Sequence, residues 1–111
     1  MTLEQTCGVS TTMKIIGRKW TILILHQLCA GTKRFGELQR TLPGISPKTL
    51  SERLKELEQN GIVNKKIFAE VPLHVEYSLT KKGQTLKTII NQMARWGNVS
   101  SNDLPQLTHK E

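Results

Sequence analysis

Apolar residues recur along this chain with two different periods, and the change of period divides it into elements. Met13 and Ile16 lie three apart behind Ser and Thr residues suited to capping, which predicts a short helix from Ser10 to Ile16 ended by Gly17. Between Lys19 and Leu28, Trp20, Ile22, Leu23, Ile24, Leu25 and Leu28 leave almost no polar side, the pattern of a helix buried centrally. Phe35, Leu38 and Leu42 then give a two-turn amphipathic helix opened by Lys33-Arg34 and stopped near Pro43-Gly44. A further helix starts at Ser46-Pro47, with serine placed to cap and proline at the first helical position, where no N–H is needed. Leu50, Leu54 and Leu57 form its apolar stripe, and Asn60-Gly61 supplies a left-handed stop.

Beyond Gly61 the period falls to two. Segments 62–69 and 74–80 are rich in β-branched and aromatic residues, with Val75, Tyr77 and Leu79 alternating against Glu76, Ser78 and Thr80. Pro72 cannot continue a ladder, so Glu70-Val71-Pro72-Leu73 reads as a protruding loop between two strands. From Lys81 to about Val99, Leu86, Ile89, Ile90, Met93 and Trp96 return to helical spacing, leaving a long stripe in need of a covering surface. The sum is a mainly α chain with a small β-hairpin (α+β): a winged helix-turn-helix with terminal helices free for dimerisation. The expected organisation is one domain over residues 1–111. It comprises an arm (1–9), helices (10–60, with the helix-turn-helix at 34–60), a wing (61–80), a last helix (81–99) and a polar tail (100–111).

Composition narrows the function. Sixteen Lys and Arg against nine Asp and Glu among 111 residues give a net charge of +7, which favours polyanionic partners. Residues 33–82 hold ten of these cations and six of the acids, a net +4 in under half the length. The longest apolar run, Ile22 to Leu25, is far short of the roughly 20 residues of a membrane span. No secretory signal is visible at the N-terminus, so a soluble cytoplasmic protein is expected. Two cysteines cannot make a disulfide framework, no Cys/His spacing calls for a metal, and no cofactor is implied. No nucleophile, base and oxyanion donor occur together, which argues against an enzyme. His26, on the core helix, and His109, in the tail, are read as core packing and solvent exposure.

On a wheel centred on the stripe of the Ser46 to Gln59 helix, the opposite side carries Lys48, Glu52, Lys55 and Gln59, flanked by Thr49 and Ser51. Lysines and hydroxyls near the start of a helix can bond phosphates or base edges in a major groove. Lys48, Thr49, Ser51, Glu52 and Lys55, with Ser46 at the start, are therefore candidate DNA contacts, and Arg53 lies closer to the core edge, within reach of phosphate. The bland alternative is a solvated helix with Lys48 and Glu52 paired at i,i+4. Lys33, Arg34, Lys65 and Lys66 are candidate backbone contacts, and His74 sits on the wing. A winged-helix module used only for protein contacts is the competing reading.

The same residues resemble the HxlR-type winged helix-turn-helix transcriptional regulators of the MarR-like group. Gly17-Arg18-Lys19-Trp20-Thr21-Ile22-Leu23-Ile24-Leu25 is similar to the family's Gly-Gly-Lys-Trp segment, and Lys33-Arg34-Phe35-Gly36-Glu37-Leu38 to its Lys-Arg-Phe-x-Glu-Leu segment. Leu42-Pro43-Gly44-Ile45-Ser46, Leu50 through Leu57, Asn60-Gly61-Ile62-Val63, and Glu70-Val71-Pro72 with Val75-Glu76-Tyr77-Ser78-Leu79-Thr80 follow in order. The resemblance implies a homodimer on a roughly palindromic operator in double-stranded DNA, each subunit placing its Ser46 to Gln59 helix in a major groove. Half-sites would then lie about 10 bp apart or a multiple of it.

The terminal helices would mediate dimerisation, and Leu86, Ile89, Ile90, Met93 and Trp96 are the candidate interface. Packing within one subunit is the alternative. Some members of the family use an N-terminal cysteine to sense quinones, aldehydes or oxidants, which makes Cys7 a candidate redox sensor for an oxidant or small-molecule effector. The other reading of Cys7 is a small apolar side chain tucked against the partner. Cys29, in the core segment, is expected to be inert. The chain departs from the family pattern at Gly8, where proline usually follows the cysteine, and at His74, where a basic residue usually precedes Val-Glu-Tyr.

Overall fold

The computed structural model describes residues 7–103, with side chains described through residue 99. The first six residues of the expected arm and most of the expected tail, His109 included, lie outside the described residues. The elements run in the order α1 (Gly8–Ile16), α2 (Lys19–Cys29), β1 (Lys33–Arg34), α3 (Phe35–Thr41), α4 (Pro47–Gln59), β2 (Val63–Phe68), β3 (His74–Leu79), α5 (Lys81–Gln84) and α6 (Lys87–Asp103).

The core forms around α2, whose Ile24 and Leu25 are fully buried, as its nearly all-round apolar pattern requires. Leu38 of α3 and Leu50, Leu54 and Leu57 of α4 close on it from one side. Ile62, Val63, Tyr77 and Leu79 come from the sheet and its entry, and Ile90 from α6. His26 is exposed on α2, not packed in the core as its position on that helix suggested.

Local chemistry fixes the boundaries of α4. The Ser46 Oγ accepts the Thr49 N–H at 3.0 Å, and Pro47 takes the first turn without losing a hydrogen bond. At the other end Gly61 adopts φ +74°, a conformation that costs glycine little and an L-residue with a side chain much more.

Three expectations about secondary structure change. Lys33 and Arg34 do not open a helix; they form a short strand antiparallel to β3, opposite Tyr77 and Glu76, so the sheet has three strands in the order β1-β3-β2. Two residues carry no readable period, and only the partner strand makes them a strand. The single C-terminal helix divides into α5 and α6 at Thr85 and Leu86. The Thr80 Oγ1 caps α5 through the Gly83 N–H at 2.9 Å, and Lys82 Nζ donates to the Asn60 carbonyl at 3.3 Å. Gly83 is buried so close to Ile62 that a Cβ there would run into the Ile62 carbonyl oxygen, which locks α5 onto the start of β2. The helix also continues to Asp103, past the expected end at Val99. Among the described residues no helix is long and apolar enough to cross a membrane, and no group of acidic, His or Cys side chains could hold a metal ion.

Candidate nucleic-acid interface

Helix α4 buries Leu50, Leu54 and Leu57 and exposes Lys48, Ser51, Glu52 and Lys55. Its polar side is turned outward, neither covered by the hairpin nor folded into the core. Among the described residues, Lys48, Ser51, Glu52 and Lys55 have no hydrogen-bond or ion-pair partner, so the i,i+4 pairing of Lys48 with Glu52 is not formed. The two residues at the start of the helix are partly engaged: the Ser46 Oγ caps Thr49 and also donates to Thr49 Oγ1 at 3.0 Å.

Arg53 is placed differently from the rest. Its Nη1 donates to both carboxylate oxygens of Glu56 at 2.9 Å, and its side chain is only 17% exposed. Arg18, at the start of α2, reaches the same carboxylate at 3.4 Å. Glu56 thus ties α4 to the α1–α2 corner, a contact between residues 38 positions apart that no local pattern announces.

Lys65 and Lys66 are adjacent on β2 and therefore point to opposite faces of the sheet. Lys65 joins Ser51, Lys55, Glu58 and Tyr77 around a groove of about 300 Å³ between α4 and the sheet, bringing a wing cation beside the exposed helix face. Lys66 lies on the other face with its Nζ 5.0 Å from the centre of the Phe68 ring. Lys33 and Arg34, on β1, are likewise split between faces, Lys33 half-buried and Arg34 exposed. His74 turns inward: its ring stacks on Phe68, its Nε2 lies 3.3 Å from Glu76, and its Nδ1 lies 3.9 Å from Glu70. With only 15% of that side chain exposed, the prominent parts of the wing are Ile67, Val71 and Leu73.

The apolar stripe near the C-terminus also separates. Ile90 is 2% exposed and so held inside the subunit, correcting its assignment to an interface, while Leu86 is half-buried with one side packed against the core. Ile89, Met93 and Trp96 remain 46%, 45% and 69% exposed. Val9 and Met13 on α1 and Val99 on α6 are exposed apolar residues of the same kind. The i,i+4 spacing of Val9 and Met13 was visible in the sequence as an unclaimed signal.

Cys7 occupies the N-cap of α1. The backbone N–H groups of Ser10 and Val9, then the Ser10 hydroxyl, lower its pKa by favouring the thiolate, although none closes into a full cap hydrogen bond. Cys29 is the opposite case, since burial pushes its thiol up, with Lys87 a smaller opposing influence. Both thiols are free.

Residues 15–104 match the HxlR-like helix-turn-helix family profile. The HTH-type transcriptional regulator YodB of Bacillus subtilis is 43% identical over 90 residues, covering 81% of this chain and 80% of that protein. Among solved structures, a MarR-family transcriptional regulator from Porphyromonas gingivalis W83 superposes with a TM-score of 0.83 at 42% identity, covering 88% of this chain and 96% of the other. The redox regulator HypR in its oxidized form gives 0.80 at 42% identity, over 84% and 96%. YodB and the P. gingivalis protein are regulators of transcription and HypR is a redox regulator, none of them an enzyme, and the winged architecture of this chain agrees with that of the solved structures. The chain belongs to the HxlR-like helix-turn-helix family of transcriptional regulators.

Proposed function

We propose that this regulator acts in the cytoplasm as a homodimer that reads double-stranded DNA with α4. The observation that carries the reading is the exposed, unpartnered polar face of α4 standing beside Lys65 across one groove. Lys48 and Lys55 donate to guanine acceptors or phosphates, Thr49 and Ser51 bond base edges or phosphates, and Glu52 accepts from cytosine. Lys33 and Lys65, both opposite Tyr77 on the side of the sheet that faces α4, neutralise backbone charge there, and Arg34 and Lys66, both opposite Glu76, do so from its other face. Ser46 serves the interface chiefly by starting the helix, and Arg53 by holding Glu56.

Ile89, Met93 and Trp96 of α6, with Val9 and Met13 of α1, supply the apolar surface for a two-fold contact that sets two α4 helices on one roughly palindromic operator. The lowered pKa of Cys7 and the likeness to HypR, described as a redox regulator, support a thiol switch. A diazene such as diamide takes two electrons and two protons from two thiols, joining them as a disulfide across the dimer and becoming a hydrazine, or a peroxide transfers one oxygen to a single thiolate, giving a sulfenic acid and water. Either product shifts the spacing of the reading helices. Selection of bound fragments from random DNA, with reduced and diamide-treated protein in parallel, tests both parts. A palindromic motif recovered only in one redox state supports them; no enrichment in either state removes the DNA reading in favour of a protein-contact module.

A further inference from the structure

A groove of about 400 Å³ runs between the start of α3 and the loop end of the wing, outside the helix face discussed above. Its walls are apolar, formed by Phe35, Leu73 and Val75, and Leu73 is 66% exposed. Arg34 and Arg40 also line it, with Glu37 the one carboxylate among its lining residues.

The Arg40 side chain runs back along α3 over Gly36, its Nη1 3.4 Å from where a Cβ on that residue would sit. Among the described residues Arg40 has neither a hydrogen bond nor an ion pair, although Glu37 lies in the same groove. The Glu37 Oε1 instead accepts the Arg34 backbone N–H at 2.8 Å. Two cations against one carboxylate leave the groove with a net positive charge.

We infer that this groove seats one sugar-phosphate unit of the bound duplex, with Arg40 as a phosphate contact and Leu73 packing on the deoxyribose. The inference rests on the DNA-binding reading and deepens it. An apolar wall beside an unpaired guanidinium matches a strand that alternates apolar sugar with anionic phosphate, and Arg34 is itself one of the candidate backbone contacts. The seat explains why an exposed leucine occupies the wing loop, where a purely electrostatic contact would need only charge. It carries no base information, so its effect is independent of sequence.

The test measures affinity for a random-sequence duplex and a selected duplex across a salt series, using wild type, Arg40→Ala, Leu73→Ser and, as control, Lys81→Ala. All three positions are exposed, and thermal melting checks that each variant is folded. Arg40→Ala is expected to weaken both duplexes by the same factor and to reduce the log–log salt slope by about 0.9. Leu73→Ser is expected to weaken both severalfold with the slope unchanged, and Lys81→Ala to match wild type. A wild-type slope in Arg40→Ala overturns the phosphate seat, and wild-type affinity in Leu73→Ser overturns the sugar contact. A flat salt response in the wild type would instead sink the DNA-binding reading itself.

Discussion

The rings of Phe68 and His74 stack across the hairpin, 4.6 Å between centroids and 13° between planes, at directly opposed positions of β2 and β3. A side chain that the sequence offers as a wing contact is thereby used to hold the two strands together. His74→Ala is expected to cost about 1 kcal/mol, the typical worth of such a stacked pair, and to lower the melting midpoint by several degrees. Its effect on affinity for different duplexes should be uniform. Thermal melting by circular dichroism with paired binding titrations checks both.

On the proposed reading, contacts to bases and contacts to backbone separate on the two sides of the groove between α4 and the sheet. Lys48→Ala or Ser51→Ala should change which bases are preferred, with a discrimination cost of about 1–3 kcal/mol at the position read. Lys65→Ala should weaken every sequence alike and flatten the salt slope by about 0.9. Binding measured on a set of singly substituted operators distinguishes the two patterns.

The two thiols differ in the sign of their perturbation. Amide N–H groups of Ser10 and Val9 favour the Cys7 thiolate, so its alkylation by iodoacetamide should set in at lower pH than that of Cys29, whose burial disfavours the anion. Mass spectrometry of peptides labelled across a pH series gives both profiles. Cys7→Ser should abolish the response of operator binding to diamide while leaving the affinity of the reduced protein within about twofold.

Neighbouring isoleucines on α6 should have opposite phenotypes. Ile90→Ala removes a buried side chain and should destabilise the fold by about 2–5 kcal/mol. Ile89→Ser and Trp96→Ser alter exposed positions and should leave the subunit folded while shifting it from dimer to monomer. Urea titration reads the first effect and analytical ultracentrifugation the second.

Most of the fold was legible because its elements carry strong local signals: the Ser46-Pro47 start, the Gly61 stop and the alternation from Val75 to Thr80 each fix a boundary without help from distant residues. What the sequence hid depends on partners far along the chain. Lys33 and Arg34 become a strand only because β3 lies beside them. The split of Lys65 from Lys66 follows from strand alternation, yet a search for clustered charge groups them as one patch. Arg53 looked free on a wheel and is held by Glu56, and His74 looked like a wing contact and is held by Phe68 and Glu76. The outward face of α4 was readable, since the leucine stripe alone determines which side turns away. The division of the Leu86 to Trp96 stripe between core and surface was not, because helical period identifies an apolar side and not what covers it.

The two-residue pairing of β1 with β3 splices the hairpin to the chain immediately before α3. A pull on the hairpin is transmitted through backbone hydrogen bonds into the first turn of α3, with no flexible joint between them. Whatever bends the hairpin therefore pulls on α3 as well, so the two act as one jaw and not as two independently hinged fingers.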